Sequence, residues 1–157
     1  ALYVVTTSSD DAIIAEALAI LAKRIKHGDV FASPGEVKQY MQLQLAPLNH
    51  EVFAVLFLDV QNRHIAFEQM FRGTLTQTSV YPREIVRRAM HHNAAAVIFA
   101  HNHPSGIATP SSADEHLTEA LKQALNLIDV RLLDHFIVAG LAEPYSFSEH
   151  GKLALTP

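Results

Sequence analysis

Three side chains of metal-ligand type stand close together in this chain. They are His101 and His103, within His101-Asn102-His103-Pro104, and Asp114 after ten intervening residues. Two imidazoles and a carboxylate can hold a divalent cation and leave one coordination position for water, which the cation acidifies. The chemistry expected of such a set is hydrolysis. Imidazole, imidazole, carboxylate and water suit tetrahedral zinc, although these residue types specify the site more firmly than the metal. A His-x-His pair alone is often just two hydrogen-bonded strand histidines. Pro104, Ser111 and Asp114 at this spacing favour the metal reading.

The elements around these residues should bring them together. The apolar run Ala94 to Ala100 reads as a buried strand leading into His101. Strand side chains alternate faces, so His101 and His103 point one way and Asn102 the other. Pro104 ends the strand, which leaves both imidazoles at its C-terminal edge, where functional loops gather. Residues 105–110 form a return loop, and Ser111 caps a helix running to about Leu127 with Leu117, Ala120, Leu121, Ala124 and Leu125 inward. Asp114 then lies in the first helical turn, where the helix dipole favours a carboxylate.

A hydrolytic site also needs a proton shuttle. Glu51 opens the otherwise apolar stretch to Asp59, which reads as a strand buried on both faces. If that strand runs antiparallel to the His101 strand, Glu51 lies beside the metal and can act as general base, then protonate the leaving amine. The plainer alternative is a strand-entry residue paired with a surface cation. Ser111 can donate a hydrogen bond to an oxyanion if capping does not consume its hydroxyl; the two roles are compatible.

The remaining elements follow from periodicity and punctuation. Residues 10 to about 26 form an amphipathic helix ending near Lys26-His27-Gly28, and Ser33-Pro34 opens a second helix through about Leu45. Residues 64–71 pair with the Glu51 strand as a hairpin. Tyr81-Pro82 opens a helix with Ile85, Val86, Ala89 and Met90 on one face, and Arg131 to Ala139 and Tyr145 to Ser148 are further strands. The order α-α-β-β-α-β-α-β-β gives an α/β fold, a mixed sheet flanked by helices. The expected division is an N-terminal helical region over 1–47, a metal-binding domain over 48–150 and an unstructured tail over 151–157.

Composition bounds the function. The chain has 157 residues, 49% hydrophobic and 18% charged, with a net charge of −4. This suits a globular domain and gives no basic surplus for duplex DNA. The lack of cysteine removes disulfides, thiolate metal sites and cysteine nucleophiles, and fits a cytoplasmic setting. No apolar run reaches the ~20 residues of a membrane span. The start, Ala1 to Val5, does not read as a signal peptide.

Glu51, His101-Asn102-His103-Pro104 and Ser111-Ser112-Ala113-Asp114 together resemble the JAMM pattern of the JAB/MPN metalloproteases: an upstream Glu, H-x-H-P and S-x-x-D. Phe71-Arg72-Gly73-Thr74, Tyr81-Pro82-Arg83-Glu84, the extension Ser105-Gly106 and Leu133-Asp134-His135 resemble its RadC-like branch. The resemblance covers about Ser33 to His150. It implies a cytidine-deaminase-like JAB/MPN fold and one zinc ion per chain held by His101, His103 and Asp114. It further implies Glu51 as general acid/base and Ser111 assisting a tetrahedral intermediate. The expected activity is a zinc-dependent peptidase or isopeptidase acting on a polypeptide. The alternative is a DNA-repair-associated protein acting on nucleic acid, which the family label and Arg83, Arg87 and Arg88 support. The acidic balance and the lack of a helix-hairpin-helix region before Ser33 oppose it. A homo-oligomer stays open.

The other histidines read mainly as structural. His91 and His92 cap a helix, and His27, His50, His64, His116 and His150 lie at the surface. His135 is expected in a buried strand as a satisfied core histidine, with Asp134 as a candidate brace for the metal site.

Overall fold

The computed structural model describes residues 8–24, 34–73 and 80–153. Over these the elements are α1 (Ser8–Arg24), α2 (Pro34–Leu45), β1 (Val52–Leu58), β2 (His64–Arg72), α3 (Pro82–His91), β3 (Ala96–Asn102), α4 (Ser112–Asn126), β4 (Arg131–Val138) and β5 (Tyr145–Ser146). The expected order of elements is the observed one. The proposed cap at Ser33 and the end of the first helix near Lys26–Gly28 lie outside the described residues.

The five strands form one mixed sheet in the order β2-β1-β3-β4-β5. β1 is antiparallel to both β2 and β3, β3 and β4 are parallel, and β5 returns antiparallel on β4. Every residue of β1 and β3 is buried. Their near-continuous apolar sequence reflects helices on both faces. Val37, Tyr40, Met41 and Leu45 of α2 pack on one face against Ala54, Leu56, Ile98, Ala100, Phe136 and Val138. Ile85 and Ala89 of α3 and Leu117, Leu121 and Leu125 of α4 pack on the other against Phe53, Val55, Phe57, Val97 and Phe99. α2 also reaches the loop after β4, where Gln42 donates to the carbonyls of Gly140 and Ala142 and Lys38 pairs with Glu143; Lys38 pairs as well with Glu149 beyond β5.

Two inward assignments are corrected. Met90 of α3 is 64% exposed, because Ile85 and Ala89 centre the buried arc one position away. On α4 Ala120 is exposed; the buried stripe runs Asp114, Leu117, Thr118, Leu121, Lys122, Leu125, polar residues included. Residues 151–153 are not loose: the Lys152 amide donates to Phe147, and its ammonium lies 2.7 Å from Glu115.

Candidate metal centre

β3 runs through His101 to Asn102, and α4 begins ten residues later on the same side of the sheet. Polar residues can end a buried strand because each finds a partner. Asn102 points to the α2 face, accepts from the Val52 amide at 2.8 Å and donates to the His50 carbonyl at 2.9 Å. His101 points to the α4 face, as the two-residue alternation requires. Its neighbour His103 lies just past the strand, with its amide bonded to the Val138 carbonyl.

Asp114 meets the two imidazoles from the helix. Ser111 caps α4: its hydroxyl accepts from the Asp114 amide, and the Asp114 carboxylate accepts from the Ser111 amide at 2.8 Å. This reciprocal box orients the carboxylate toward β3. Asp114 Oδ1 lies 3.2 Å from His101 Nε2, Asp114 Oδ2 lies 3.2 Å from His103 Nε2, and the two Nε2 atoms are 3.0 Å apart. His101 and Asp114 are buried, and the His103 side chain keeps 15% exposure, which marks the open side. Capping uses a lone pair of the Ser111 hydroxyl and leaves its proton to donate elsewhere.

This donor set fits a cation. The Ile107 carbonyl can only accept, so the 2.8 Å contact from His103 Nδ1 puts the ring proton there and leaves Nε2 of the neutral ring bare. That lone pair faces the Asp114 carboxylate at repulsive range unless positive charge lies between them. The separations of 3.0–3.2 Å match the roughly 3.3 Å between ligand atoms bonded at about 2.0–2.1 Å to one tetrahedral ion. Among the described residues this is the group of histidine and acidic side chains able to hold a metal.

The electrostatics agree. Burial raises the Asp114 carboxyl, but the facing His101 and His103 in their protonated form, with the Ser111 amide, outweigh it and hold the group far below the usual carboxylate range. His103 is raised, first because Asp114 would accept from a second ring proton on Nε2, and against its partial burial. His101 is lowered, because burial outweighs the pull of Asp114. Glu51 stands just before β1, half-buried, with its carbonyl accepting from Gly73. Its negative charge favours the charged form of both imidazoles, so it lies within electrostatic reach of the centre. The condition set for Glu51, that β1 run antiparallel to β3, is met, and the register places Phe53 opposite His101.

Thr118 and the partners of His135 escaped the sequence reading. His135 is buried as expected, but its Nε2 lies 2.7 Å from His101 Nδ1 and its Nδ1 lies 2.6 Å from Thr118 Oγ1. Thr118 follows Asp114 by four residues on α4, a spacing that sets it on the ligand's face. Asp134 points away from the centre and instead accepts from the His135 and Ser148 amides and the Ser146 hydroxyl, tying β5 to β4.

An α/β domain with a His-His-Asp cluster at the C-terminal end of its central strand is the class of protein defined here. A family model for the RadC-like JAB domain matches residues 31–152, and the chain belongs to that family. It is 56% identical over 159 residues to a UPF0758 protein of Variovorax paradoxus, covering 97% of this chain and 70% of the relative. It is 62% identical to a UPF0758 protein of Albidiferax ferrireducens, covering 85% of this chain and 56% of the relative. With a UPF0758 protein of Methylibium petroleiphilum it shares 64% identity, covering 85% and 60%. The chain thus spans between 56% and 70% of these curated relatives.

Proposed function

We propose that this domain is a zinc-dependent hydrolase of peptide or isopeptide bonds. The observation that carries the reading is the convergence of His101 Nε2, His103 Nε2 and the Asp114 carboxylate at 3.0–3.2 Å, and the pairing of Phe53, two residues after Glu51, opposite His101 supports a role for Glu51. Zinc held by these atoms would bring the pKa of a water at its open position to about 7. Glu51 takes the proton of the attacking water and returns it to the nitrogen of the leaving amine. Ser111, at the start of α4, offers its hydroxyl proton to the developing oxyanion. His101 and Asp114 are buried and hold the ligand side of the site, while partly exposed His103 faces the approaching chain.

A polypeptide substrate suits this chemistry better than nucleic acid. Arg87 is paired with Glu84 and Arg88 with Glu68, so two of the three arginines offered in support of the nucleic-acid alternative are paired within the fold. Arg83 lies over the Tyr81 ring. Among the described residues no helix is long and apolar enough to cross a membrane. A cytoplasmic setting fits the cysteine-free sequence.

The test is a peptide-library cleavage screen of wild type and Glu51→Gln, with zinc measured by elemental analysis on the same samples. The expected result is one zinc per chain in both, with cleavage reduced about 10²- to 10⁴-fold in the variant. Equal cleavage by the two proteins refutes the role of Glu51, and a wild type that takes up no zinc refutes the metal.

A further inference from the structure

We propose that Thr118 and His135 are positioning residues that fix the tautomer of His101, presenting its Nε2 as a bare lone pair to the metal. The inference rests on the metal-centre reading above and adds to it a determinant of affinity outside the ligand set.

The direction of each hydrogen bond follows from what its atoms can do. The Asp114 backbone carbonyl can only accept, and Thr118 Oγ1 lies 2.7 Å from it, so the single hydroxyl proton of Thr118 is spent there. The 2.6 Å contact between Thr118 Oγ1 and His135 Nδ1 must then be a donation from His135 Nδ1–H. His135 is fully buried, and its two ring nitrogens meet Thr118 Oγ1 and His101 Nδ1, neither of them an anion that could compensate a charged ring, so the ring carries one proton. With that proton on Nδ1, its Nε2 is an acceptor, and the 2.7 Å contact is a donation from His101 Nδ1–H. Neutral His101 is left with a bare Nε2, the atom that faces Asp114 and His103.

The relay starts and ends on the ligand set. It leaves the backbone of Asp114, crosses from α4 to β4 and arrives at His101 on β3. Aromatic rings enclose its middle: Phe147 stacks on His135 at 4.5 Å, with Phe53 and Phe99 edge-on at 5.7 and 5.8 Å. In this apolar surrounding an unmatched donor is costly, which makes the proton order strict. The usual partner of a ligating imidazole is a carboxylate, carbonyl or water; here it is a second imidazole whose own proton is set by a threonine.

Thr118→Val keeps the shape and removes the acceptor. Its methyl group cannot receive His135 Nδ1–H, so the His135 proton moves to Nε2, the bond to His101 reverses, and His101 carries its proton on the ligand atom. The experiment measures zinc affinity by competition with a chromophoric chelator at fixed pH, and the His101 tautomer by ¹⁵N NMR of the metal-free protein. Wild type, Thr118→Val and Thr118→Ser are compared, with urea unfolding to establish that all three fold. The expected result is Nδ1–H on His101 in wild type, Nε2–H in Thr118→Val, zinc affinity about 10- to 100-fold weaker in Thr118→Val, and recovery of both readouts in Thr118→Ser. Unchanged zinc affinity in Thr118→Val, or the same His101 tautomer in wild type and Thr118→Val, overturns the proposal. A wild type that binds no zinc sinks the hydrolase reading, and the ¹⁵N comparison then decides the relay by itself.

Discussion

Asn102 lies between the two imidazole ligands but serves the opposite face of the sheet, and Asn102→Ala tests what it holds. The side chain is 2% exposed and bridges the backbone on both sides of Glu51, accepting from Val52 N–H and donating to the His50 carbonyl. Val52 is fully buried, so its orphaned amide costs about 1–3 kcal/mol. The half-buried His50 carbonyl can turn to water and costs only about 0.5–1.5 kcal/mol. A cavity of about 310 Å³, lined by Asn102, Ala46, Leu48 and Val138, adjoins the site and gives water a route toward Val52. This draws the expected loss to the lower half of the range, roughly 2–3 kcal/mol. Urea unfolding of the metal-free protein at pH 7 measures it as a lower midpoint at constant slope. Zinc affinity should change little, because the imidazoles face α4, whereas turnover should fall because both neighbours of Glu51 come loose. A loss below about 1 kcal/mol, or a zinc affinity that falls as much as turnover, refutes the argument.

Other expectations are as direct. Saturating zinc at about 100 times its Kd should stabilise the wild type by about 2.7 kcal/mol and raise Tm by roughly 5–10 °C, a shift seen by scanning fluorimetry. Asp114→Asn should abolish that shift, and a variant still raised by zinc would remove Asp114 from the ligand set. Glu68 is held below the usual carboxylate range by hydrogen bonds from Arg88, against its burial and with help from His92. A depressed folded pKa contributes stability that is complete above the unfolded value, about 4.3, and lost as pH falls through the folded value. Glu68→Gln should therefore cost most at pH 7 and progressively less toward pH 3; urea midpoints that differ equally at both pH values would contradict this.

The sequence carried the strand and helix order well because its signals were local. Glu51 to Asp59 is nearly all apolar, Pro34 and Pro82 start their helices, and Ser111 with Asp114 forms a capping pair readable from spacing alone. Legibility failed where a polar residue belongs to a buried face. Hydropathy put Ala120 inward on α4, but the inward stripe is Asp114, Thr118 and Lys122 alternating with leucines. Thr118 is there because His135 on β4 meets it on the face that α4 covers, and no local pattern reports a partner seventeen residues away. Asp134 failed for the reverse reason. Its neighbour His135 faces the centre, so the strand alternation that buries one turns the other toward Ser146 and Ser148.

The parallel pairing of β3 with β4 has a consequence for how this site can change. Parallel neighbours require the chain to travel back along the sheet before it re-enters, and α4 makes that journey. Its first turn must begin where β3 stops, so topology itself delivers Asp114 to His101. The early part of the intervening loop is committed, since Ile107 and Gly106 both bond to His103. Ala108, Thr109 and Pro110 carry no regular structure. Lengthening the chain at those three positions would leave both anchor points in place, and each doubling of the loop adds only about 0.6 kcal/mol of closure entropy. Insertions there would let recognition of different targets diversify around a fixed chemical centre.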